Sequence, residues 1–528
     1  MHSLTTDRRR AVVPALLLVL PLLNLACGAG EPAVETGVWT TSPREETRPL
    51  FTTDFEPAEF AARRAAVYDA IGPNAIAVLQ GAPSPEGFVR FRQTNEFYYL
   101  SGIAAPHAYL ILDGGERKTT VYLPNRKERR EFNEGKVLSA EDAELVKELA
   151  GVDAVYPTDL LIDHLRAYAR SGSVRTVYVL STPPEGLSAT RSMTARAHAD
   201  WREDPLDGRP GRQEVFVANL RRHLPGVAIG DLTPIIDGLR LIKSEAELKL
   251  IRISSRLQGL AIMEAMRSTT PGITEYELEA IGKFIFWQHG VQGDAYYALT
   301  HIGPNAYMNH YHAGVRAAEP GDMILMDYGG DYRYYVSDMA RMWPANGRFN
   351  SVQRELYGFY LAFYEAILYN IRPGLTAQQV KLAALEEIEP ILESWTFSSP
   401  VYEKAAREFV ESFRRSAQDP NTSLGHWVGM AAHDPGPYTG VLRPGMVLTI
   451  EPQFRVPEEK IYIRLEDTIA ITEDGVEIMT DFVPRDIEGI ERLMREEGLL
   501  QRFPRLLDDA GEFLAPARAM IDVARGGR

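Results

Sequence analysis

A Pro-Gly pair followed by an apolar run that ends on a carboxylate occurs twice in this chain. Pro320-Gly321 leads through Met323-Ile324-Leu325-Met326 to Asp327, and Pro444-Gly445 leads through Met446-Val447-Leu448-Thr449-Ile450 to Glu451. Each acid lies seven residues after its proline, and the two acids are 124 residues apart. A second echo lies upstream of each, in Pro271-Gly272-Ile273-Thr274 and Pro373-Gly374-Leu375-Thr376, both opening helix-like stretches. Pro-Gly before a strand is common turn chemistry. Two repeats in one order nevertheless read as two related halves, each delivering acid groups to a shared centre. After Asp327, a Gly329-Gly330 turn signal and an aromatic-rich segment lead to Asp338, which reads as a hairpin with two carboxylates where its strands end. Either aspartate alone would be an ordinary solvated turn residue. The repetition is what makes the pair informative.

A length of 528 residues predicts two or three domains, and 45% hydrophobic with 24% charged residues is enough to bury a real core. Net charge is −15. Arg8, Arg9, Arg10 and Asp7 make residues 1–26 +2, so the remainder carries −17. That balance excludes nucleic acid as a partner, which needs a basic face. Three arginines ahead of Ala11 to Leu23 form the n- and h-regions of a targeting segment, too short to prefer a membrane span. Cys27, the only cysteine, sits just behind it as in a bacterial lipoprotein processing site, although Asn24 stands where leucine is usual. Acylation of Cys27 and ordinary cleavage between Ala26 and Gly30 both remain open. Either predicts export to the periplasm or lipid anchoring at the bacterial cell envelope, with no other membrane contact. With one cysteine there is no intrachain disulfide.

Residues 28 to about 52 are rich in Gly, Pro, Thr and Glu without apolar periodicity and read as a solvated tether. A helix pattern runs from Phe55 to Ile71, and 75–79, 108–112 and 119–123 read as buried strands, so the first region is α/β. Residues 193–213, charged and poor in large apolar residues, read as a surface insertion or mobile loop. The second region opens near Leu239. Ser244 with Glu247 and Thr274 with Glu277 are capping-box signatures before helices that alternate with the acidic hairpins, an α+β pattern. Ile461 to Glu466 reads as one alternating strand with Tyr462, Arg464 and Glu466 on one face.

The residues that could carry chemistry are Asp327, Asp338, His426, Glu451 and Glu466, with His310, His433 and Arg464 beside them. A lone histidine is more often structural than functional. Four carboxylates and an imidazole packed together would repel and their pKa values would rise. Two divalent ions about 3.5–4 Å apart resolve that, and oxygen-rich ligation suits Mn2+, with Zn2+ or Co2+ also able to occupy it.

This constellation resembles the pita-bread-fold metallopeptidases, specifically the aminopeptidase P and prolidase branch. The carrying segments are Leu325-Met326-Asp327-Tyr328-Gly329, Ser337-Asp338-Met339-Ala340-Arg341, His426-Trp427, His433-Asp434-Pro435-Gly436, Pro444 to Pro452 and Ile463-Arg464-Leu465-Glu466-Asp467. Phe91 to Gly102 resembles the signature of the aminopeptidase P N-terminal domain. The resemblance implies a pita-bread catalytic domain over 239–490 with two pseudo-symmetric halves, after a smaller α/β domain over 54–238. A signal segment (1–27) and a tether (28–53) would precede them, and a helical tail (491–528) would follow. It implies Asp327, Asp338, His426, Glu451 and Glu466 as ligands of two metal ions, with Asp338 and Glu466 bridging and a hydroxide between the ions attacking the scissile carbonyl. Glu451 would manage the proton of that water. His310 and His433 would contact substrate or steady the oxyanion, Arg464 would support the ligands, and Tyr296 would line the pocket. The implied activity is removal of an N-terminal residue from peptides, before proline, by a dimer or tetramer. Alternatives are a strict dipeptidase of the prolidase type, a metal-free hydrolase such as the creatine amidinohydrolases, and a non-catalytic binding protein. This chain departs from the family pattern at Thr422-Ser423, Gln453, Arg455 and Lys460-Ile461-Tyr462. Arg455, where an aromatic is often found, is expected to narrow the site and pair with a peptide carboxylate.

Overall fold

The computed structural model describes residues 50–507 and 510–524, so the targeting segment and Cys27 lie outside the described residues. Runs in which every residue is apolar make strands covered on both faces, and Ala75–Gln80 (β1) is buried along its whole length. With Tyr109–Asp113 (β2), Lys118–Leu123 (β3), Ala154–Pro157 (β4), Thr176–Val179 (β5) and Ala228–Asp231 (β6) it forms a six-stranded mixed sheet. The order is β4-β3-β2-β1-β5-β6. The helix Pro57–Ile71 buries Phe60, Val67 and Ile71. Phe51, within the expected tether, is already buried, its ring 5.7 Å from that of Phe60.

Residues 193–213 are not simply a loop. Arg191–Glu203 is a helix capped by Thr190, and a second helix starts at Arg212, leaving 204–211 as the irregular part. No residue of the first helix is buried, so it carries no apolar stripe that periodicity could detect. It is anchored by Arg191, which donates to both oxygens of Asp237 at 2.7 and 2.9 Å.

The repeat halves become two small sheets. Leu299–Ile302 (β7), Met323–Asp327 (β8) and Ala340–Pro344 (β9) form one, antiparallel, with Asp327 opposite Ala340. Val447–Ile450 (β10) is followed by the hairpin Phe454–Val456 (β11) and Ile461–Ile463 (β12), then Asp467–Ile471 (β13) and Val476–Ile478 (β14). The second sheet has the order β10-β13-β14, with Ile450 opposite Asp467. The expected single strand through Glu466 is therefore divided. Ile461–Ile463 pairs with β11 and Asp467–Ile471 with β10, and Arg464-Leu465-Glu466 crosses between the sheets. The face expected to carry Tyr462, Arg464 and Glu466 is buried. Helices Glu245–Ser268 and Glu275–Gln288 belong to the first half, Ser351–Leu368 and Ala377–Ser394 to the second, and all four start with capping boxes. Thr274 and Thr376, the ends of the two upstream echoes, are equivalent N-caps. A bridge between Ala340 and Glu466 joins the two sheets, so the repeat brings its acid-bearing strand ends together.

The N-terminal sheet domain grips both loops of this centre. Arg92 pairs with Asp331 at 2.7 Å, and the ring of Tyr98 stacks on Tyr334 at 3.5 Å, holding the turn between Asp327 and Asp338. On the other side, Asn95 donates to Glu185 at 2.9 Å and to the Met430 carbonyl at 3.1 Å. Arg240 bonds Glu185 at 2.8 Å and Asp434 at 2.5 Å, and Lys243 bonds Asp434 at 3.2 Å. Burial alone would raise the Asp434 pKa, but Arg240 and Lys243 outweigh it and hold it below the usual range. Removing one partner of such a network strands the others without solvent. Arg240→Met is expected to lower unfolding free energy by about 3–5 kcal/mol, measured by urea denaturation. A loss no larger than that of a surface control such as Lys249→Ala would refute the coupling.

Candidate metal centre

Each strand end projects one carboxylate inward. Asp327 ends β8, Asp338 precedes β9, Glu451 follows β10 and Glu466 precedes β13. His426 arrives on a segment held by a bridge from Trp427 to Leu448 and by Thr449 N–H donating to the His426 carbonyl at 3.0 Å. Gly425 has to be glycine, since a Cβ there would lie 1.9 Å from the Thr449 carbonyl oxygen.

The His426 Nε2 atom stands 3.7 Å from Asp338 Oδ2 and from Glu451 Oε1, and 3.8 Å from Glu466 Oε1. These gaps are too long for hydrogen bonds and are the spacing of donors turned toward a common cation. Ligand atoms of Asp338, His426 and Glu466 lie within 4.8 Å of one another. Asp327 joins them through Tyr296, whose hydroxyl proton is shared between Asp327 Oδ1 at 2.6 Å and Asp338 Oδ1 at 2.8 Å. Arg464 binds Asp327 and, at 2.9 Å, Glu451. One guanidinium against four carboxylates leaves surplus buried negative charge. Burial, then Asp327, pushes Asp338 well above the usual carboxylate range, while burial, then Asp338, does the same to Glu466. Glu466 Oε2 has no hydrogen-bond partner. An orphaned buried carboxylate oxygen among hard donors fits divalent cations.

His433 lies ring on ring with His426, centroids 3.9 Å apart. Burial of its inner face, then the neighbouring imidazole of His426, pushes its pKa down to about 4, so it is neutral near pH 7. Its outer face is exposed. His310 is exposed, its carbonyl accepting from the Tyr297 hydroxyl at 3.2 Å. No hydrogen bond joins its imidazole to the five-donor cluster.

Several supports were not legible as site residues. Thr449 donates to Glu466 Oε1 at 2.9 Å. Thr468 accepts from Asp338 N–H at 3.0 Å and donates to the Asp338 carbonyl at 2.6 Å. The Tyr360 hydroxyl donates to the Pro452 carbonyl at 2.7 Å and accepts from Leu465 N–H at 2.9 Å, clamping the crossing segment. A threonine inside the apolar run before Glu451 was the one available signal. Tyr296, expected to line the pocket, bonds two of the carboxylates.

Two family models match this chain. Metallopeptidase family M24 matches residues 249–473, and the aminopeptidase P N-terminal domain matches 60–178. The chain is similar to the Xaa-Pro aminopeptidase of Escherichia coli (strain K12), 30% identical over 83% of this chain and 97% of that protein. It is 27% identical to the Homo sapiens Xaa-Pro dipeptidase over 80% of this chain and 90% of the other. The solved structure of Zn-substituted E. coli aminopeptidase P in complex with product matches with a TM-score of 0.67 and 26% identity. That match covers 84% of this chain and 98% of the other.

Proposed function

As the chain belongs to metallopeptidase family M24, in its aminopeptidase P/prolidase branch, and is a hydrolase, we propose that it removes the N-terminal residue from peptides whose second residue is proline. The observation that carries this reading is the convergence of Asp327, Asp338, His426, Glu451 and Glu466, with a Glu466 oxygen among them that has no hydrogen-bond partner among the described residues. Those five side chains would hold two divalent ions, Mn2+ in the proposed enzyme, with Zn2+ or Co2+ compatible with the same donors. When bound, the ions activate a water nucleophile at neutral pH and polarise the scissile carbonyl.

The chain's own residues do the rest. Glu451 is the most open of the four carboxylates, its side chain 23% exposed against 1–7% for the others. It is the one placed to take the proton of the attacking water and pass it to the leaving nitrogen. Neutral His433 offers an N–H to the oxygen on which negative charge develops. His310, exposed beside the centre, orients the peptide. Arg464 keeps Asp327 and Glu451 turned to the centre. The aminopeptidase reading is supported over the dipeptidase by the higher identity and coverage of the E. coli relative. Placement at the cell envelope, with Cys27 acylated, rests on residues 8–27 alone, and incorporation of labelled palmitate lost in Cys27→Ala would test it.

Metal content tests the centre. Two Mn2+ per chain are expected by elemental analysis after dialysis, and fewer than one would reject it. Tyr296→Phe keeps the ring and deletes the proton shared by Asp327 and Asp338. It should weaken Mn2+ affinity about 10–100-fold in a competitive titration, with the fold intact.

A further inference from the structure

Between the Tyr307 and Tyr462 rings, one cation has no acid to answer it among the described residues. Arg455, on β11, makes no ion pair with any described residue. Its Nη2 donates to the side-chain oxygens of Asn309 and, at 2.9 Å, Gln453, and Asn309 in turn donates to Gln453 at 2.9 Å. Nη1 and Nε have no hydrogen-bond partner among the described residues. The guanidinium carbon lies 4.9 Å from the Tyr462 ring centre and 5.3 Å from that of Tyr307. Two neutral amides and two aromatic faces therefore fix the plane of the guanidinium, while the Nη1 and Nε donors stay unused. Arg455 is half-buried, which makes the missing countercharge matter more than on an open surface.

Its position relates it to the metal centre. Arg455 pairs across the hairpin with Tyr462, two residues before Arg464, and Glu451 lies four residues earlier on its own segment. Asn309, which holds it, adjoins His310. Burial pushes the Tyr462 phenol up to about 12, with Arg464 and Arg455 opposing and Glu451 and Glu466 adding, so all four lie close enough to act on this one phenol. Four residues of extended chain span about 13 Å, and a peptide of three or four residues reaches roughly as far.

We propose that Arg455 receives the C-terminal carboxylate of peptides three or four residues long, making this chain a short-peptide enzyme. The free Nη1 N–H groups can donate a charge-assisted hydrogen bond to a carboxylate oxygen, while Nε–H points from the opposite edge of the guanidinium. The inference rests on the peptidase reading above. A bound carboxylate also supplies the countercharge that Arg455 lacks among the described residues.

The experiment compares Ala-Pro-Ala and Ala-Pro-Ala-Ala with their C-terminal amides, using Mn2+-loaded wild type, Arg455→Ala and Arg455→Gln. The glutamine variant preserves polar contact with Asn309 while deleting the charge. In both variants kcat/KM for the free acids should fall roughly 10–100-fold, mostly in KM, and that for the amides should change less than about threefold. Equal losses on acids and amides would show that Arg455 only braces the His310 loop and would overturn the proposal, as would unchanged kinetics on all four. Calorimetry of Pro-Ala-Ala against its amide reads the same preference without turnover. A wild type that binds the acid more tightly than the amide but cleaves nothing would retain Arg455 as the carboxylate site and reject the peptidase reading.

Discussion

Glu451→Gln is expected to lower kcat for proline-containing peptides by about 10²–10⁴-fold while leaving the fold and KM nearly unchanged. Glutamine preserves the shape of the side chain, and its carbonyl oxygen can still accept from Arg464, which bonds Glu451 at 2.9 Å. What it cannot do is take a proton. Glu451 is the carboxylate that reaches the cleft, whereas Asp327, Asp338 and Glu466 are shut in beneath it. Single-turnover kinetics with pre-bound peptide separate chemistry from binding. A variant that loses metal as completely as it loses rate would assign Glu451 to holding the ions alone. A variant with wild-type kcat would remove it from the reaction.

Glu466→Gln should separate stability from function in the opposite sense. Glu466 is almost wholly buried, one oxygen has no hydrogen-bond partner among the described residues and only Arg464 at 3.9 Å as countercharge, and Asp338 adds like charge. Without metal, the carboxylate is a burden on the folded state, so the glutamine variant should melt higher than wild type when both are metal-free. The cost of one unsatisfied buried group is about 1–3 kcal/mol, which sets the scale of the gain. With metal the order reverses. Mn2+ at 100 times its Kd stabilises a protein with one such site by about 2.7 kcal/mol, and Glu466→Gln should lose most of that rise together with hydrolysis. Calorimetric melting of both proteins, with chelator and with Mn2+, reads all four values. A metal-free variant less stable than wild type would show that Glu466 is satisfied by something other than a cation.

The legible part of this molecule was the part that repeats. Pro320 and Pro444 turn the chain into β8 and β10, strands of nearly equal length, so the acid seven residues on arrives at the same place in each half. The capping threonines Thr274 and Thr376 follow the same rule. Local pattern failed where structure depends on distant partners. The helix Arg191–Glu203 has no buried face and is held by Asp237, 46 residues away. The network under His433 joins Arg240 to Asp434 across 194 residues and Asn95 to Met430 across 335, separations that carry no periodic signal. The alternation from Ile461 to Glu466 suggested one strand because side-chain parity continues across the break, while the backbone changes partner after Ile463. Tyr296 could not be told from a core aromatic, since only the folded chain shows its hydroxyl between two aspartates.

The measurement that bears most directly on the account is release of free alanine from Ala-Pro-Pro-Ala by the purified protein with Mn2+, with chelator, and as Glu451→Gln. Metal-dependent release, abolished by chelator and lost in the variant, is the predicted result. A protein that carries two Mn2+ per chain and releases no alanine from that peptide or from Ala-Pro would contradict it.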